Sequence, residues 1–137
     1  MQRVAVDANV FLSFIVHRND RRRDSAKALL AKAEDGELLA MLPQFVVFEI
    51  VYVLQSTYNF RNEQLGLLIR DLLALPGVRV VDDCPWRRVM EVWPDPLPSL
   101  ADAAIAAIAS TNRYDAVATF DQKLAKRLKD LGVAAYW

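Results

Sequence analysis

Short apolar segments alternate with helical patterns along almost the whole chain, and this alternation limits the fold more than any other feature. Strand-like segments are predicted at Arg3–Val6, Leu38–Leu42, Val78–Val81 and Ala116–Thr119, and Val133–Tyr136 is a candidate for a fifth. Strands that alternate with helices form a parallel sheet that is covered on both faces. Right-handed connections then bring the carboxyl ends of all strands to one edge of the sheet, where ligands bind in such folds. We therefore predict an α/β fold with a central parallel sheet of four or five strands.

The length and composition fit one domain spanning residues 1–137, since no linker or internal repeat divides the chain. The longest stretches without a charge, Leu38–Phe48 and Ile50–Phe60, are eleven residues each and too short to cross a bilayer. The first ten residues also lack the basic and then apolar pattern of a secretory signal. We expect a cytoplasmic protein that does not bind membranes.

The composition limits the kinds of catalytic site. Cys84 is the only cysteine, so a cysteine-based zinc site is excluded, and His17 is the only histidine that a catalytic dyad or triad could use. The formal net charge is +0, so any binding of nucleic acid must come from a local patch. Polar chemistry must therefore depend on carboxylates, arginine, lysine, asparagine and hydroxyl groups.

Four acidic residues stand alone in apolar sequence. Asp7 ends the first predicted strand, and Asp121 follows the fourth. Glu49 is the only charge between Leu38 and Phe60, and Asp102 is the only charge between Pro96 and Asn112. An isolated carboxylate in apolar surroundings costs several kcal/mol unless it is paired, protonated or bound to a metal.

The sheet prediction brings these acids together. If the first and fourth strands are neighbours, Asp7 and Asp121 lie side by side, and we expect all four carboxylates within a few ångströms. Such a group cannot be fully ionised without a cation, and its oxygen ligands suit Mg²⁺ or Mn²⁺. Asn9 and Thr119 would supply neutral oxygen ligands or hydrogen bonds to the ligating carboxylates.

Each acid also has a structural interpretation. Asp7 and Asp121 could cap the helices that follow them, and Asp102 could stabilise the N-terminus of its own helix. Glu49 could pair with a buried arginine. These interpretations need a separate explanation for each acid, whereas one metal site explains all four.

Four motifs in order resemble the PIN domain, and on a chain this short they resemble the VapC-type toxins of toxin–antitoxin pairs. The motifs read VAVDANVF, FVVFEIVYVL, LADAAIAAIA and VATFDQKL, and the resemblance runs from Val4 to Ala135. It implies a three-layer α/β/α sandwich that acts as a metal-dependent endoribonuclease on RNA phosphodiester bonds. It also implies a homodimer that a small antitoxin neutralises. By this resemblance the catalytic and metal-binding quartet is Asp7, Glu49, Asp102 and Asp121, with Asn9 and Thr119 as its polar accessories.

Basic residues suggest where RNA could bind. Arg18, Arg21, Arg22 and Arg23 are predicted to cluster in a loop after the first helix and to contact RNA, although Asp20 and Asp24 could make this a solvated charge run. Arg87 and Arg88 beside Trp86 could stack on a base, but we favour a helix with Trp86 buried. The segment Trp86–Pro98 fits no motif of the family.

Other functions use some of the same residue types. Enzymes that form an aspartyl-phosphate also use an Asp at the end of a strand, but haloacid-dehalogenase-like enzymes have a second Asp where this chain has Asn9. Asp82-Asp83 follows the third predicted strand and does not fit a receiver domain. Neither G-x-x-x-x-G-K-[ST] nor G-x-G-x-x-G is present. A PIN nuclease of RNA processing and a catalytically silent binding module are the remaining alternatives.

Overall fold

Helices and strands alternate along the chain as the sequence pattern predicts. The computed structural model describes all 137 residues. In chain order the elements are β1 (Gln2–Val6), α1 (Ala8–Ile15), α2 (Asp20–Glu34), β2 (Leu38–Pro43), α3 (Gln44–Ser56), α4 (Asn62–Leu73), β3 (Val78–Val81), α5 (Trp86–Val92), α6 (Leu100–Thr111), β4 (Ala116–Ala118) and α7 (Gln122–Asp130). None of the helices combines the length and the apolar character needed to cross a membrane.

The strands form one parallel sheet in the order β3-β2-β1-β4. In its register Val4 of β1 lies opposite Ala40 of β2 on one side and Ala116 of β4 on the other. The predicted fifth strand, Val133–Tyr136, is reduced to a single bridge between Val117 and Ala135. The chain runs beside β4 for only two backbone hydrogen bonds, which is too short a pairing for a strand.

Two hydrophobic cores lie on opposite faces of the sheet and make it the middle layer of a sandwich. Because successive side chains of a strand point to opposite faces, Val4 and Val6 pack with helices α1 to α4. Ala5 and Val117 pack on the other face with α5, α6 and α7. The predicted α/β/α architecture is confirmed.

The arginine-rich segment differs from its prediction. Helix α2 begins at Asp20 rather than at Ser25, and the side chain of Asn19 caps it by accepting a hydrogen bond from the Arg22 amide at 3.0 Å. The prediction that the four arginines share a loop is therefore wrong for Arg21, Arg22 and Arg23, which lie on the first turns of this helix.

The segment Trp86–Pro98 belongs to the second core, which is the one that Ala5 and Val117 share with α5, α6 and α7. Val89, Val92 and Leu97 are buried there, and the indole Nε1 of Trp93 donates to the carbonyl oxygen of Pro98 at 3.2 Å. The side chain of Trp86 is 57% exposed, so the interpretation with Trp86 buried is wrong. The valines fill the inner face of the short helix α5, which leaves Trp86 on its outer side.

Gly77 allows β3 to begin close against α2. Its φ angle is +79°, and a Cβ atom at this position would lie 2.3 Å from the carbonyl oxygen of Ala33. Its own carbonyl oxygen accepts a hydrogen bond from the Ala40 amide of β2 at 2.8 Å. Any side chain here would combine an unfavourable φ with a collision against backbone.

Candidate active site

The strand order creates a crevice beside the central strand. The chain moves from β1 outward to β2 and β3 and then returns to place β4 on the other side of β1. In open parallel sheets, ligands bind at such a reversal, outside the carboxyl ends of the strands. Asp7 follows β1 at this point, and its amide donates to the carbonyl oxygen of Ala118, the last residue of β4, at 2.9 Å.

A hydrogen-bond network fixes the carboxylate of Asp7. Its Oδ2 accepts from the Thr119 hydroxyl at 2.8 Å and from Nδ2 of Asn9 at 3.3 Å. Its Oδ1 accepts from the Ala8 amide at 2.8 Å. Asn9 is held in turn, because its Oδ1 accepts from the Phe120 amide at 3.0 Å and its Nδ2 lies 3.1 Å from the Thr119 hydroxyl. Asn9 and Thr119 therefore orient Asp7 across the junction of β1 and β4.

Asp121 lies next to this network and is exposed. Its amide donates to the Thr119 hydroxyl at 3.1 Å. Its Oδ1 caps helix α7 by accepting from the amides of Lys123 and Leu124 at 3.0 and 3.1 Å. The capping role that the sequence allowed for Asp121 is therefore present, and the cap leaves its Oδ2 without a hydrogen bond.

Glu49 and Asp102 reach the crevice from opposite layers. Glu49 lies on α3, among the helices of the first core, and Asp102 lies in the first turn of α6 against the second core. Both are partly buried, and neither side chain makes a hydrogen bond or an ion pair. The suggested pairing of Glu49 with a buried arginine does not occur.

Three of these carboxyl groups have raised pKa values. Burial raises the pKa of Asp7, hydrogen bonds from Thr119 and Ala8 oppose the rise, and the charge of Asp121 adds to it. Burial also raises the pKa of Glu49, to which the charges of Asp7 and Asp102 contribute. The pKa of Asp102 rises to about 6, mainly through burial and then through Asp7 and Asp121, while Arg127 acts in the opposite direction. The four acids thus share one strongly negative region.

The acids are nevertheless farther apart than the sequence predicts. No three acidic, histidine or cysteine side chains are close enough together to form a ready-made metal cluster. The expectation of all four carboxylates in one compact cluster is therefore wrong, although the charges of Asp7 and Asp102 still act on Glu49. The donor set still fits a hard divalent cation, since unpaired carboxylates that repel one another gain from such an ion and water can complete its coordination.

Comparison with known proteins identifies the family. A model of the PIN domain family matches residues 4–129. The chain is a PIN domain. Proteins of this family are generally nucleases, which hydrolyse phosphodiester bonds.

Two solved structures share the fold of this PIN domain. One is the crystal structure of FitAcB from Neisseria gonorrhoeae, with a sequence identity of 18% and a TM-score of 0.65. The match covers 98% of this chain and 96% of the FitAcB chain. The other is a domain of a functionally unknown protein from Methanocaldococcus jannaschii DSM 2661, with a sequence identity of 21% and a TM-score of 0.58. The match covers 100% of this chain and 91% of that domain. A search of curated proteins found no match.

The four predicted RNA-binding arginines do not act as one group in this PIN domain. Arg21 and Arg22 line a cavity of about 450 Å³ that reaches Thr119. Arg18 instead lies over the ring of Tyr58, 5.9 Å from its centroid. Arg23 is partly buried, and its Nε has no hydrogen-bond partner. Only two of the four arginines therefore face the region beside the acids.

An aromatic group that was not predicted from the sequence lies on the same side of the PIN domain. Phe120 lies between Thr119 and Asp121, and its ring stacks on Trp137 with centroids 4.7 Å apart. The guanidinium carbon of Arg22 lies 5.6 Å from the Phe120 centroid. The position of Phe120 inside the VATFDQKL motif was the only available signal, because the approach of Trp137 depends on the return of the chain along β4.

A second, apolar groove of about 340 Å³ adjoins the acids from the other side. Its wall includes the exposed side chains of Phe48, Trp86 and Leu100. Glu49 lies at this groove, as do Asp82 and Asp83 after β3. The PIN domain thus has a basic, aromatic cavity and an acidic, apolar groove beside one crevice.

Proposed function

We propose that this PIN domain is an endoribonuclease that depends on Mg²⁺ or Mn²⁺ and hydrolyses RNA phosphodiester bonds. The observation that carries the proposal is the network at the strand-order reversal, in which Thr119 and Asn9 orient Asp7 beside three further acids whose charges act on one another. A group oriented by two side chains from separate strand ends suits catalysis better than simple helix capping. Asp7, Glu49, Asp102 and Asp121 would hold the ion.

The chain's own residues would position the reactants. When bound, a divalent ion supplies an activated water and neutralises charge on the leaving oxygen. Thr119 and Asn9 hold Oδ2 of Asp7 in one orientation by donating hydrogen bonds to it. Without an ion the pKa of Asp102 is raised to about 6 by burial and by the charges of Asp7 and Asp121, and a bound cation would offset that cost of ionising it. Arg21 and Arg22 can hold substrate phosphates beside the crevice.

We further propose that the protein is the toxin of a toxin–antitoxin pair and works in the cytoplasm. The resemblance to VapC-type toxins supports this role. The apolar groove fits an antitoxin that places an apolar side chain in the groove and an Arg or Lys beside Glu49. Phe48 on the wall of this groove is 70% exposed and would contact such an apolar side chain. The pairing of a cation with half-buried carboxylates would offset part of their desolvation.

A homodimer is part of the same proposal and is supported by the family resemblance. Size-exclusion chromatography with light scattering measures it directly. A monomer at micromolar concentration would contradict the dimer and would leave the nuclease proposal intact.

The experiment that tests the nuclease proposal is cleavage of a mixed RNA pool with Mn²⁺ and with EDTA. The wild type should cleave only with the ion, and Asp7→Asn should be inactive while keeping a cooperative melt. Asp71→Asn, which changes an exposed aspartate on α4, is the matched control and should cleave normally. An active Asp7→Asn protein, or cleavage that persists in EDTA, would refute the proposed site.

The partner proposal has its own test. A short reading frame immediately upstream should encode a protein that co-purifies with this chain and suppresses cleavage. Phe48→Glu should release that protein, because it places a charge in the apolar wall of the groove. Unchanged affinity in Phe48→Glu and in the Glu49→Gln variant would move the docking point away from the groove.

A further inference from the structure

We propose that Trp137, Phe120 and Arg22 form a binding subsite for one unpaired nucleotide of the substrate, next to the catalytic crevice. The inference rests on the proposed ribonuclease function and adds the position and the chemical nature of a substrate contact. It starts from three observations: an open cavity, an exposed aromatic surface and two cations without acidic partners.

The cavity brings elements from three parts of the chain together. Arg21, Arg22 and Ser25 come from α2, while Thr119 and Phe120 follow β4, and Trp137 closes the side. Thr119 is the residue that donates to Oδ2 of Asp7 at 2.8 Å. A nucleotide in this cavity would therefore lie beside Thr119, which holds the carboxylate of Asp7.

The aromatic wall of the cavity offers a surface for a base. The rings of Phe120 and Trp137 are nearly parallel, with an interplanar angle of 17°. Tyr136 supports the indole edge-on at a centroid distance of 5.2 Å. Trp137 is nevertheless 49% exposed, so a supported indole presents free surface to the solvent. Bases of single strands stack on such surfaces, whereas bases inside a duplex already stack on one another.

The charges beside the wall fit a phosphate. Arg21 and Arg22 are exposed, and neither forms an ion pair with an acidic side chain. Arg22 also packs over Phe120, which keeps its guanidinium close to the aromatic wall. Two free guanidinium groups next to a stacking surface provide contacts for both the backbone and the base of one nucleotide.

The exposed tryptophan of the apolar groove lacks these features. Trp86 is 57% exposed, but it lines the groove that also contains Glu49, Asp82 and Asp83. Carboxylates repel phosphate, so this groove is unsuited to an RNA backbone. The two tryptophans thus form a natural comparison, one among arginines and one among acids.

The test measures RNA binding without cleavage. In the Asp7→Asn background with Mn²⁺, a fluorescein-labelled single-stranded RNA of about ten nucleotides is titrated by anisotropy. Trp137→Ala should weaken binding about 5- to 150-fold, the range found when a base-stacking aromatic is removed. Trp137→Phe should recover most of the affinity, and Trp86→Ala should bind as tightly as the parent.

Two further arms test the phosphate and the single strand. Replacing Arg21 and Arg22 by Ala should reduce the slope of log affinity against log salt by about 0.7 for each lost phosphate contact. For a duplex of the same sequence, Trp137→Ala should cost less than twofold. Thermal melts identify any variant that fails to fold, in which case Trp137→Phe and the arginine variants decide the question.

The outcomes separate the two proposals. Three results would each overturn the subsite: equal RNA affinity of the parent and Trp137→Ala, an equal loss of affinity in Trp86→Ala, or an equal loss on duplex RNA. The proposed function would still stand if the wild-type protein cleaves RNA. A wild type that neither cleaves nor binds single-stranded RNA would overturn both.

Discussion

Asp102 should make the metal-free protein less stable as the pH rises. Its pKa in the folded protein is about 6 against an ordinary value of 3.8, so the folded state holds the proton more tightly than the unfolded chain. The stability from this difference is fully present below pH 3.8 and is lost as the pH rises through about 6. The full shift corresponds to about 3 kcal/mol, which partial exposure reduces to about 1–1.5 kcal/mol. Asp102→Asn, which stays neutral, should therefore stabilise the metal-free protein at pH 7.5.

The assay is thermal unfolding in EDTA at several pH values between 4.5 and 7.5. The Asn variant should melt roughly 2–6 °C above the wild type at pH 7.5, and the difference should shrink towards pH 4.5. The Ser99 cap is unaffected, because it binds the backbone amide of residue 102 at 3.3 Å. Asp71→Asn controls for loss of a charge elsewhere. A lower melting temperature for Asp102→Asn at pH 7.5, or a difference independent of pH, would refute the reasoning.

Three further predictions concern the ion, the network and the fold. Millimolar Mn²⁺ should raise the wild-type melting temperature at pH 7.5, because a ligand of the native state stabilises it, and the rise should shrink in Glu49→Gln. Thr119→Val should cost about 1–3 kcal/mol in denaturant unfolding and lower the cleavage rate, since Asp7 loses its hydroxyl donor, whereas Thr119→Ser should retain both. Gly77→Ala should cost more than Gly36→Ala by about 1–3 kcal/mol, because both have positive φ but only the first meets backbone.

The sequence was sufficient to predict the features set by local patterns. The alternation of apolar strands with helices was enough to predict the parallel sheet, whereas the sequence placed Asp7 beside Asp121 only on the condition that the first and fourth strands are neighbours, as they are in the structure. The capping alternatives were also correct in part, because Asp7 and Asp121 both cap helices while lying at the crevice. Asp121 caps with Oδ1 and leaves Oδ2 without a hydrogen bond, so capping and a role at the crevice do not exclude each other.

Features that depend on tertiary contacts were not predictable. The charge run before Ser25 resembled a loop, although Asn19 is a favoured N-cap residue and marked the true start of α2. The exposure of Trp86 follows from which side of α5 the valines bury. The placement of Glu49 and Asp102 in opposite layers follows from the faces of the sheet on which α3 and α6 pack. No local pattern links Phe120 to Trp137.

The distance along the chain between the two halves of the crevice has a consequence for biosynthesis. Asp7 and Thr119 are 112 residues apart in sequence. At typical translation rates of about 5–20 residues per second, the ribosome needs on the order of ten seconds to add the second half after the first. A nascent chain that has already paired β1, β2 and β3 still lacks Thr119 and Asp121. The crevice is completed only after β4 and Asp121 have left the ribosome, so the chain carries Asp7 throughout this interval without the rest of the site.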